Sequence, residues 1–413
     1  MERDIRLTLR HNFVVNVLDG GFFGLAMGFA SFVTVLPLFV SQLTDSAILI
    51  GLVPAVHNVG WMLPQLLTAN RVARLRRFLP MVLAMTTLER IPFFALAIIA
   101  LMLAHLPREL ALGLTFGLLV MQGLGGGFAA TAWQSMVAKL IPAERRGTFY
   151  GTQAATSSLF ASVSAVLAGL LLERFPFPLN FAICFGLNVL AMIVSFGFLA
   201  WTREPASAPP PAATSQGALA HNVTAILKRD RNFIWFLLSR LAFQVAAMAF
   251  GFYTVYAVKH LGASALSAGL LTGVYMGTQI IANPVMGWLG DHLSHRRVLE
   301  IGAVAATLGA LLAWRAPSAE WFYLVFVLSG IANVAVWTIT LAMTVDFARD
   351  PAERPTYIGL ANTLVAPGAI LAPILGGSLA DSAGYPAMFF VAALGGAATW
   401  FILRGLLRDP QAG

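Results

Sequence analysis

Charged residues are scarce in this sequence. Asp, Glu, Lys and Arg make up 11% of its 413 residues, and 58% of the residues are hydrophobic. Soluble domains usually carry about 25% charge. A water-soluble fold of this length could not cover so much apolar surface, whereas lipid chains solvate it readily. The composition therefore excludes an ordinary soluble domain and indicates a membrane protein.

Cysteine and the common catalytic motifs are also lacking. Cys184 is the only cysteine, which excludes a disulfide within the chain and a cysteine-based metal site. The sequence has no His-Glu-x-x-His, Gly-x-Ser-x-Gly or phosphate-loop pattern, so it gives no support for those hydrolase classes or for ATP hydrolysis. We expect no enzyme activity, no cofactor and no metal.

Long apolar runs fill most of the chain. A membrane-spanning helix needs about 20 apolar residues, and twelve such spans can be read, six on each side of a segment rich in Pro, Ala and Ser. We predict an N-terminal bundle at 1–201, a cytoplasmic linker at 202–232 and a C-terminal bundle at 233–413. The spans are 13–40, 47–69, 79–104, 110–139, 148–172, 177–201, 233–258, 266–290, 298–315, 319–346, 357–379 and 384–407.

The net charge of +8 would suggest nucleic acid as a partner of a soluble protein. Here the basic residues lie in short loops between spans. Twenty of the 26 Lys and Arg fall on the side that holds both termini, and four fall on the other side. Positive loops stay in the cytoplasm. We therefore expect a multi-pass protein of the inner (plasma) membrane with both termini inside, no nucleic-acid partner, and a monomer.

The two halves repeat one another. Four short matches recur in the same order near the predicted cytoplasmic ends of spans, as a parallel duplication of six helices would produce. The pairs are His11-Asn12-Phe13 with Arg231-Asn232-Phe233, Pro64 with Pro284, Arg76-Arg77 with Arg296-Arg297, and Pro142–Arg145 with Pro351–Arg354.

The loop after the eighth span carries a Gly, an Asp four residues later and then a basic pair. These are Gly287, Asp291 and Arg296-Arg297. Together with twelve spans and a central linker, the pattern resembles the cytoplasmic signature of the major facilitator superfamily. The resemblance covers essentially the whole chain. It implies an all-α membrane protein of twelve transmembrane helices in two pseudo-symmetric six-helix bundles, which works by alternating access.

The resemblance is incomplete in the first half. Leu67 and Arg71 stand where the signature has Gly and Asp, and Leu119 stands where the fourth helix of the family has Arg. The eleventh span keeps a diluted form of the antiporter pattern at Ala372-Pro373 and Gly376-Gly377. The subfamily therefore stays open, with a slight preference for export.

The resemblance also implies a conformational latch at the loop after the eighth span. A carboxylate near a helix N-terminus is stabilised by unpaired N–H groups, so we expect Asp291 to meet the eleventh span near Tyr357. Arg296 or Arg297 is expected to pair with Asp346. An ordinary solvated loop is the alternative. The predicted latch residues are Gly287, Asp291, Arg296, Arg297, Asp346 and Arg354.

Ionisable side chains within spans are costly and mark candidate sites. Asp19, His57, Glu89 and Arg90 are the candidates for proton coupling. Asp19, Glu89 and Arg90 lie at comparable depth, which predicts an Asp19–Arg90 or a Glu89–Arg90 pair. A structural ion pair is the alternative reading, favoured for Glu89 and Arg90, while function is favoured for Asp19.

Polar and aromatic stripes mark candidate substrate-binding faces. In the resembled fold, helices one, four, seven and ten face the central cavity. A stripe with a fixed cation at Arg240 would suit a small amphipathic or anionic solute, and helix packing is the alternative. The candidate residues, by helical periodicity, are Arg240, Gln244, Asn333, Trp337, Gln122 and Trp133.

The sequence thus predicts a secondary active transporter of a small organic molecule, with the lipid bilayer and protons as its other partners. Two alternatives stay open. One is an uptake permease for a nutrient or an organic anion. The other is a non-transporting or lipid-moving protein on the same fold.

Overall fold

The computed structural model describes residues 2–64, 68, 71–72, 75–206, 226–347 and 354–410. Regular structure in these residues is helical. Ten helices are long and apolar enough to cross a membrane, and the shorter apolar helices Ala47–Met62 and Trp321–Val336 lie at the second and tenth predicted spans. The all-α transmembrane architecture is confirmed.

In the first half of the chain, seven helices can be delimited within the described residues. They are α1 Glu2–Phe29, α2 Val35–Leu43, α3 Ala47–Met62, α4 Leu79–Met102, α5 Arg108–Leu140, α6 Ala143–Arg174 and α7 Leu179–Ala200. In the described part of the second half, eight α-helices can be delimited. They are α8 Arg231–Ala247, α9 Tyr253–Leu261, α10 Ala265–His292, α11 His295–Arg315, α12 Trp321–Phe347, α13 Arg354–Thr363, α14 Ala366–Ala383 and α15 Tyr385–Phe401, which ends in a π-helical turn at Ile402–Leu406.

Three predicted spans are broken rather than continuous. The first is interrupted between α1 and α2, and the eleventh between α13 and α14. A proline ring clashes with the carbonyl four residues before it. Pro367 therefore disfavours a helix that continues past Thr363, where α13 ends. Pro37 lies in the first turn of α2, but α1 already ends at Phe29, so Pro37 does not account for that end. The seventh span is interrupted by a 3-10 turn at Met248–Gly251. No proline lies in this turn or next to it in the sequence.

The helices pack as two compact units, and neither unit is a continuous piece of chain. Unit 1 contains the described residues of 1–45, 53–213 and 263–280. Unit 2 contains those of 46–52, 214–262 and 281–413. Each unit therefore takes most of its helices from one half of the chain and one short helical piece from the other half.

Glycine allows close helix contact within unit 1. Gly24 and Gly28 of α1 face α6, where a Cβ at Gly24 would lie 2.2 Å from the carbonyl oxygen of Ser157. The α10 segment of this unit packs on α6 in the same way, since a Cβ at Gly269 would lie 2.7 Å from the Cα of Gly169. Membrane helices associate through such close backbone approach because lipid removes the hydrophobic drive between them.

The predicted internal repeat has a structural counterpart. The Asn12 side chain accepts a hydrogen bond from the Arg203 backbone at 2.9 Å and donates to its carbonyl at 3.0 Å. In unit 2 the Asn232 side chain makes the same two bonds to Arg408, both at 2.8 Å. Each of these "asparagine clamps" joins the first helix of a half to the residues that follow its sixth span.

Candidate functional site

A buried polar cluster lies where α1, α4 and α7 meet in unit 1. The Arg90 Nη2 atom lies 3.6 Å from a carboxylate oxygen of Asp19. The Ser195 hydroxyl donates to the same Asp19 oxygen at 2.6 Å and accepts from Arg90 at 2.9 Å. The predicted Asp19–Arg90 pair is therefore confirmed. Both charges are partnered, as buried charges must be.

Two aromatic rings flank this ion pair. The Arg90 guanidinium lies 5.7 Å from the ring centres of Phe23 and of Phe196. A cation over an aromatic face gains further electrostatic stabilisation, more so where water is excluded. Arg90 also donates to the Thr86 carbonyl at 3.3 Å, one turn back on α4. The cluster thus fixes α1, α4 and α7 to one another.

Glu89 lies next to Arg90 in sequence but does not pair with it. Its carboxylate accepts from the Thr86 hydroxyl at 3.3 Å, and no cation forms an ion pair with it among the described residues. Glu89 is only 8% exposed. Its carboxylate faces α5, where a Cβ at Gly126 would lie 2.8 Å from Oε1. The Glu89–Arg90 alternative is therefore not the observed pairing.

His57 and Gln122 contact each other. The His57 Nδ1 atom lies 2.8 Å from the Gln122 Oε1 atom. An amide oxygen only accepts, so Nδ1 carries the proton in this contact. The imidazole stacks on Phe32, with 4.1 Å between ring centres. Gln122 is fully buried, and its Nε2 atom has no hydrogen-bond partner in the described structure. An unused buried donor is unusual.

Trp133 lies further along α5 and is half-buried. It makes an edge contact with Tyr150 of α6, with 6.2 Å between ring centres. It also packs against a cluster of Val137, Ile141 and Phe149. Trp133 is thus part of an aromatic wall that joins α5 to α6.

Arg240 is a half-buried cation of unit 2. Its Nη1 donates to the Ala361 carbonyl at 2.6 Å, and its guanidinium lies 6.0 Å from the ring centre of Phe236. Ala361 is in the last turn of α13, where unpaired carbonyls and the helix dipole favour positive charge. No carboxylate pairs with Arg240 in the described part of the chain. The remaining guanidinium N–H groups can bind an anion.

Gln244 lies one turn beyond Arg240 on α8. It is half-buried and packs against α14, where a Cβ at Gly368 would lie 3.4 Å from its Cγ. Asn333 on α12 is also half-buried. The Trp337 side chain lies outside the described residues. The structure thus brings Arg240 and Gln244 together on α8 beside the α13–α14 break.

The predicted latch is only partly described. The side chains of Asp291 and Arg354 lie outside the described residues, and Gly287 lies within α10. Tyr357 donates to Asp230 at 3.1 Å. Asp230 also caps α8 by accepting from the Phe233 backbone at 2.9 Å.

Asp346 has a different partner from the one predicted. The His295 Nδ1 atom lies 2.6 Å from its carboxylate. Arg296 instead bonds Glu300 and the Leu407 carbonyl, both at 3.0 Å, and the Arg297 side chain is exposed. Residues four apart share a face of a helix, so Arg296 is directed along α11 toward Glu300. The expected Arg296–Asp346 or Arg297–Asp346 pair is wrong.

Comparison with known proteins establishes the family. The sequence matches the profile of the Major Facilitator Superfamily over residues 21–259 and again over 237–413. The chain belongs to the major facilitator superfamily. It is therefore a multi-pass membrane protein of a transporter family.

Individual relatives within the superfamily match over shorter stretches or at low identity. The multidrug efflux pump LfrA of Mycolicibacterium smegmatis is 34% identical over 107 residues, 26% of this chain and 21% of the relative. The chain thus covers about a fifth of that relative's length. A solved peptide transporter, POT in complex with sulfate, gives a TM-score of 0.74 at 14% identity, covering 95% of this chain and 93% of that one.

A D-xylose–proton symporter gives a TM-score of 0.71 at 16% identity, covering 98% and 99% of the two chains. At such identities the likeness concerns the fold.

Sequence reasoning missed two polar residues at the site of this superfamily member, Ser195 and His295. Each is the observed partner of a predicted residue: Ser195 bonds Asp19 and Arg90, and His295 bonds Asp346. It also missed Glu204, which lies outside the site in the segment predicted as linker and accepts from Lys139.

Proposed function

We propose that this chain is a proton-coupled secondary transporter that moves a small organic molecule out of the cell by alternating access. The observation that carries the proposal is Arg240. It is a cation within a membrane span that has no paired carboxylate among the described residues. Such a residue is costly to insert and is retained for function.

The character of the site suits an anionic or amphipathic solute. In unit 2, Arg240 and Gln244 supply donors, and we assign Asn333 and Trp337 to the same role from their positions on α12. In unit 1, Gln122 supplies a buried unused donor, and Trp133 supplies an aromatic face. A few polar groups in an otherwise apolar lining are typical of small-molecule sites.

Export and membrane orientation rest on two further observations. The similarity to LfrA favours export, although it covers about a fifth of that pump. The excess of Lys and Arg on one side of the predicted spans favours cytoplasmic termini in the inner membrane. We propose a monomer that needs only its solute, protons and the bilayer.

The latch residues complete the proposal. Gly287, Asp291, Arg296, Arg297, Asp346 and Arg354 are proposed to hold one side closed and to separate when it opens. The His295–Asp346 and Arg296–Glu300 contacts would be the pairs of this region that exchange partners.

The test begins with purified protein and libraries of metabolites and drugs. A ligand that binds the native state raises its apparent unfolding temperature. Hits are then measured as flux into proteoliposomes with and without a pH gradient. We expect gradient-driven flux for wild type and for Arg108→Gln, an exposed control, and loss of flux for Arg240→Gln.

Three outcomes would overturn parts of the proposal. Wild-type flux by Arg240→Gln would remove the assigned cation. Flux only in the uptake direction would favour a permease, and movement of labelled lipid without any soluble solute would favour a lipid-moving protein. These results can be told apart because one set of vesicles measures the direction of flux, its dependence on the pH gradient and the identity of the molecule that is moved.

A further inference from the structure

Two neighbouring residues of α4 face different helices. Successive residues on a helix are rotated by about 100°. Arg90 is therefore directed toward Asp19 on α1 and Ser195 on α7, while Glu89 is directed toward α5. The buried ion pair is complete without Glu89, so Glu89 has another role.

The surroundings of Glu89 are shaped to admit its carboxyl group. A Cβ at Gly125 would lie 2.5 Å from the Glu89 backbone nitrogen, and one at Gly126 would lie 2.8 Å from Oε1. Two adjacent glycines therefore form a notch in α5 that holds the Glu89 backbone and carboxyl. Trp61 of α3 borders the same notch, 3.4 Å from the Gly126 Cβ position.

The notch lies close to the His57–Gln122 contact. Gln122 precedes Gly126 by four residues on α5, and His57 precedes Trp61 by four residues on α3, so each is about one turn, or 5.4 Å, away along its helix. His57 joins α3 to α5 through Gln122 at 2.8 Å. The titratable and charged groups around Glu89 are thus Arg90 on its own helix, Asp19 on α1 and His57 on α3.

We propose that Glu89 is the residue that takes up and releases the transported proton, and that Asp19 stays ionised in its pair with Arg90. This inference rests on the proposed function of proton-coupled transport. A carboxylate inside a membrane protein needs a counter-ion. Arg90 forms its close ion pair with Asp19, whereas the Glu89 carboxylate accepts from the Thr86 hydroxyl. The neutral acid is therefore the resting form of Glu89, and the proton leaves it only when that side of the protein opens to water.

The first experiment labels buried neutral carboxylic acids with dicyclohexylcarbodiimide. The acid adds across the carbodiimide: its oxygen bonds the central carbon and its proton passes to a nitrogen. Purified wild type, Glu89→Gln and Asp19→Asn are treated in detergent at several pH values, and the modified peptide is identified by mass spectrometry. We expect label on Glu89 in wild type and in Asp19→Asn, no label at position 89 in Glu89→Gln, and less label as the pH rises.

Label on Asp19 alone, or no label on protein that still melts cooperatively, would overturn the assignment. If Glu89→Gln does not fold, Glu89→Asp is used in its place, because it keeps the carboxyl group and shortens only the side chain. The labelling needs no transport substrate, so it remains informative if the proposed function fails.

The second experiment uses a solute found in the thermal screen. Glu89→Gln is expected to keep solute exchange across proteoliposomes at equal pH and to lose accumulation driven by a pH gradient. Glu109→Gln, which removes an exposed carboxylate of α5, is the matched control and is expected to keep gradient-driven accumulation. Gradient-driven accumulation by Glu89→Gln would refute the inference, whereas absence of any flux in wild type would count against the proposed function instead.

Discussion

Arg240 donates a hydrogen bond over 2.6 Å to the carbonyl of Ala361, in the last turn of a helix that Pro367 prevents from continuing. The broken eleventh span therefore does two things at once. It leaves carbonyls without helical partners, and it gives a half-buried cation an acceptor that is not a carboxylate. The guanidinium is held in place without being neutralised.

This arrangement predicts opposite effects of Arg240→Met on stability and on binding. Replacing a buried charge by an apolar side chain of similar length is often neutral or stabilising, so we expect an unchanged or higher unfolding temperature. Loss of the charge should weaken binding of an anionic solute by about 2–5 kcal/mol, or roughly 30-fold and more in Kd. Thermal unfolding and titration calorimetry measure the two effects. A large fall in stability with intact binding would mean that Arg240 is structural.

Glycines at close helix contacts should be irreplaceable, while other helical glycines should not. Gly24→Ala would bring a Cβ to 2.2 Å from the Ser157 carbonyl, and forcing α1 and α6 apart should cost about 1–3 kcal/mol. Gly113 of α5 has nothing within 4 Å of its Cβ position, so Gly113→Ala should gain about 0.5–1 kcal/mol from helix propensity. Equal unfolding temperatures for the two variants would contradict the contact.

The asparagine clamps should differ in strength because their burial differs. Asn12 is fully buried and Asn232 is half-buried. Asn12→Ala leaves two backbone groups without partners, at about 1–3 kcal/mol, whereas water can replace part of the loss in Asn232→Ala, at about 0.5–1.5 kcal/mol. Chemical denaturation of the two variants tests the order. The larger loss in Asn232→Ala would show that the clamps are not equivalent contacts.

Glu204 anchors the start of the segment predicted as linker. Its buried carboxylate accepts from Lys139 at 2.8 Å and from the backbone of Phe78 and Leu79 at the start of α4. Glu204→Ala would strand the Lys139 ammonium and should cost about 3–5 kcal/mol. The double variant with Lys139→Met should recover part of that loss, since no charge is left unpaired. A double variant less stable than Glu204→Ala would rule out the ion pair as the cause.

The sequence was informative where one physical rule dominates. Apolar runs identify spans because lipid solvates them. The comparable depth of Asp19, Glu89 and Arg90 predicted an Asp19–Arg90 or a Glu89–Arg90 pair, and the structure shows the first. A proline lies near the break in the first span and near the break in the eleventh, at Pro37 and Pro367, but a prediction of spans from hydropathy does not use it. No proline lies at the break at Met248–Gly251. Which helix the Glu89 side chain faces depends on the rotation of α4 about its own axis. Contacts with α5 determine that rotation, and helical periodicity in the sequence does not.

Contacts between distant helices were the least predictable part of the site. His57 and Gln122 are 65 residues apart, and each was recognised only as a polar residue in an apolar span. Asp346 was given an arginine partner because the basic pair dominates the loop, but the helix that begins at His295 places the histidine there instead.

The two asparagine clamps also bear on ancestry. Each one lies wholly within its own set of six spans, so a progenitor of half this size would already have had its first and last helices tied together. Duplication and fusion of such a progenitor needed no new bond to keep either copy intact. The stretch between Arg203 and Asn232 could then vary in length and composition, because the two clamps end at its borders.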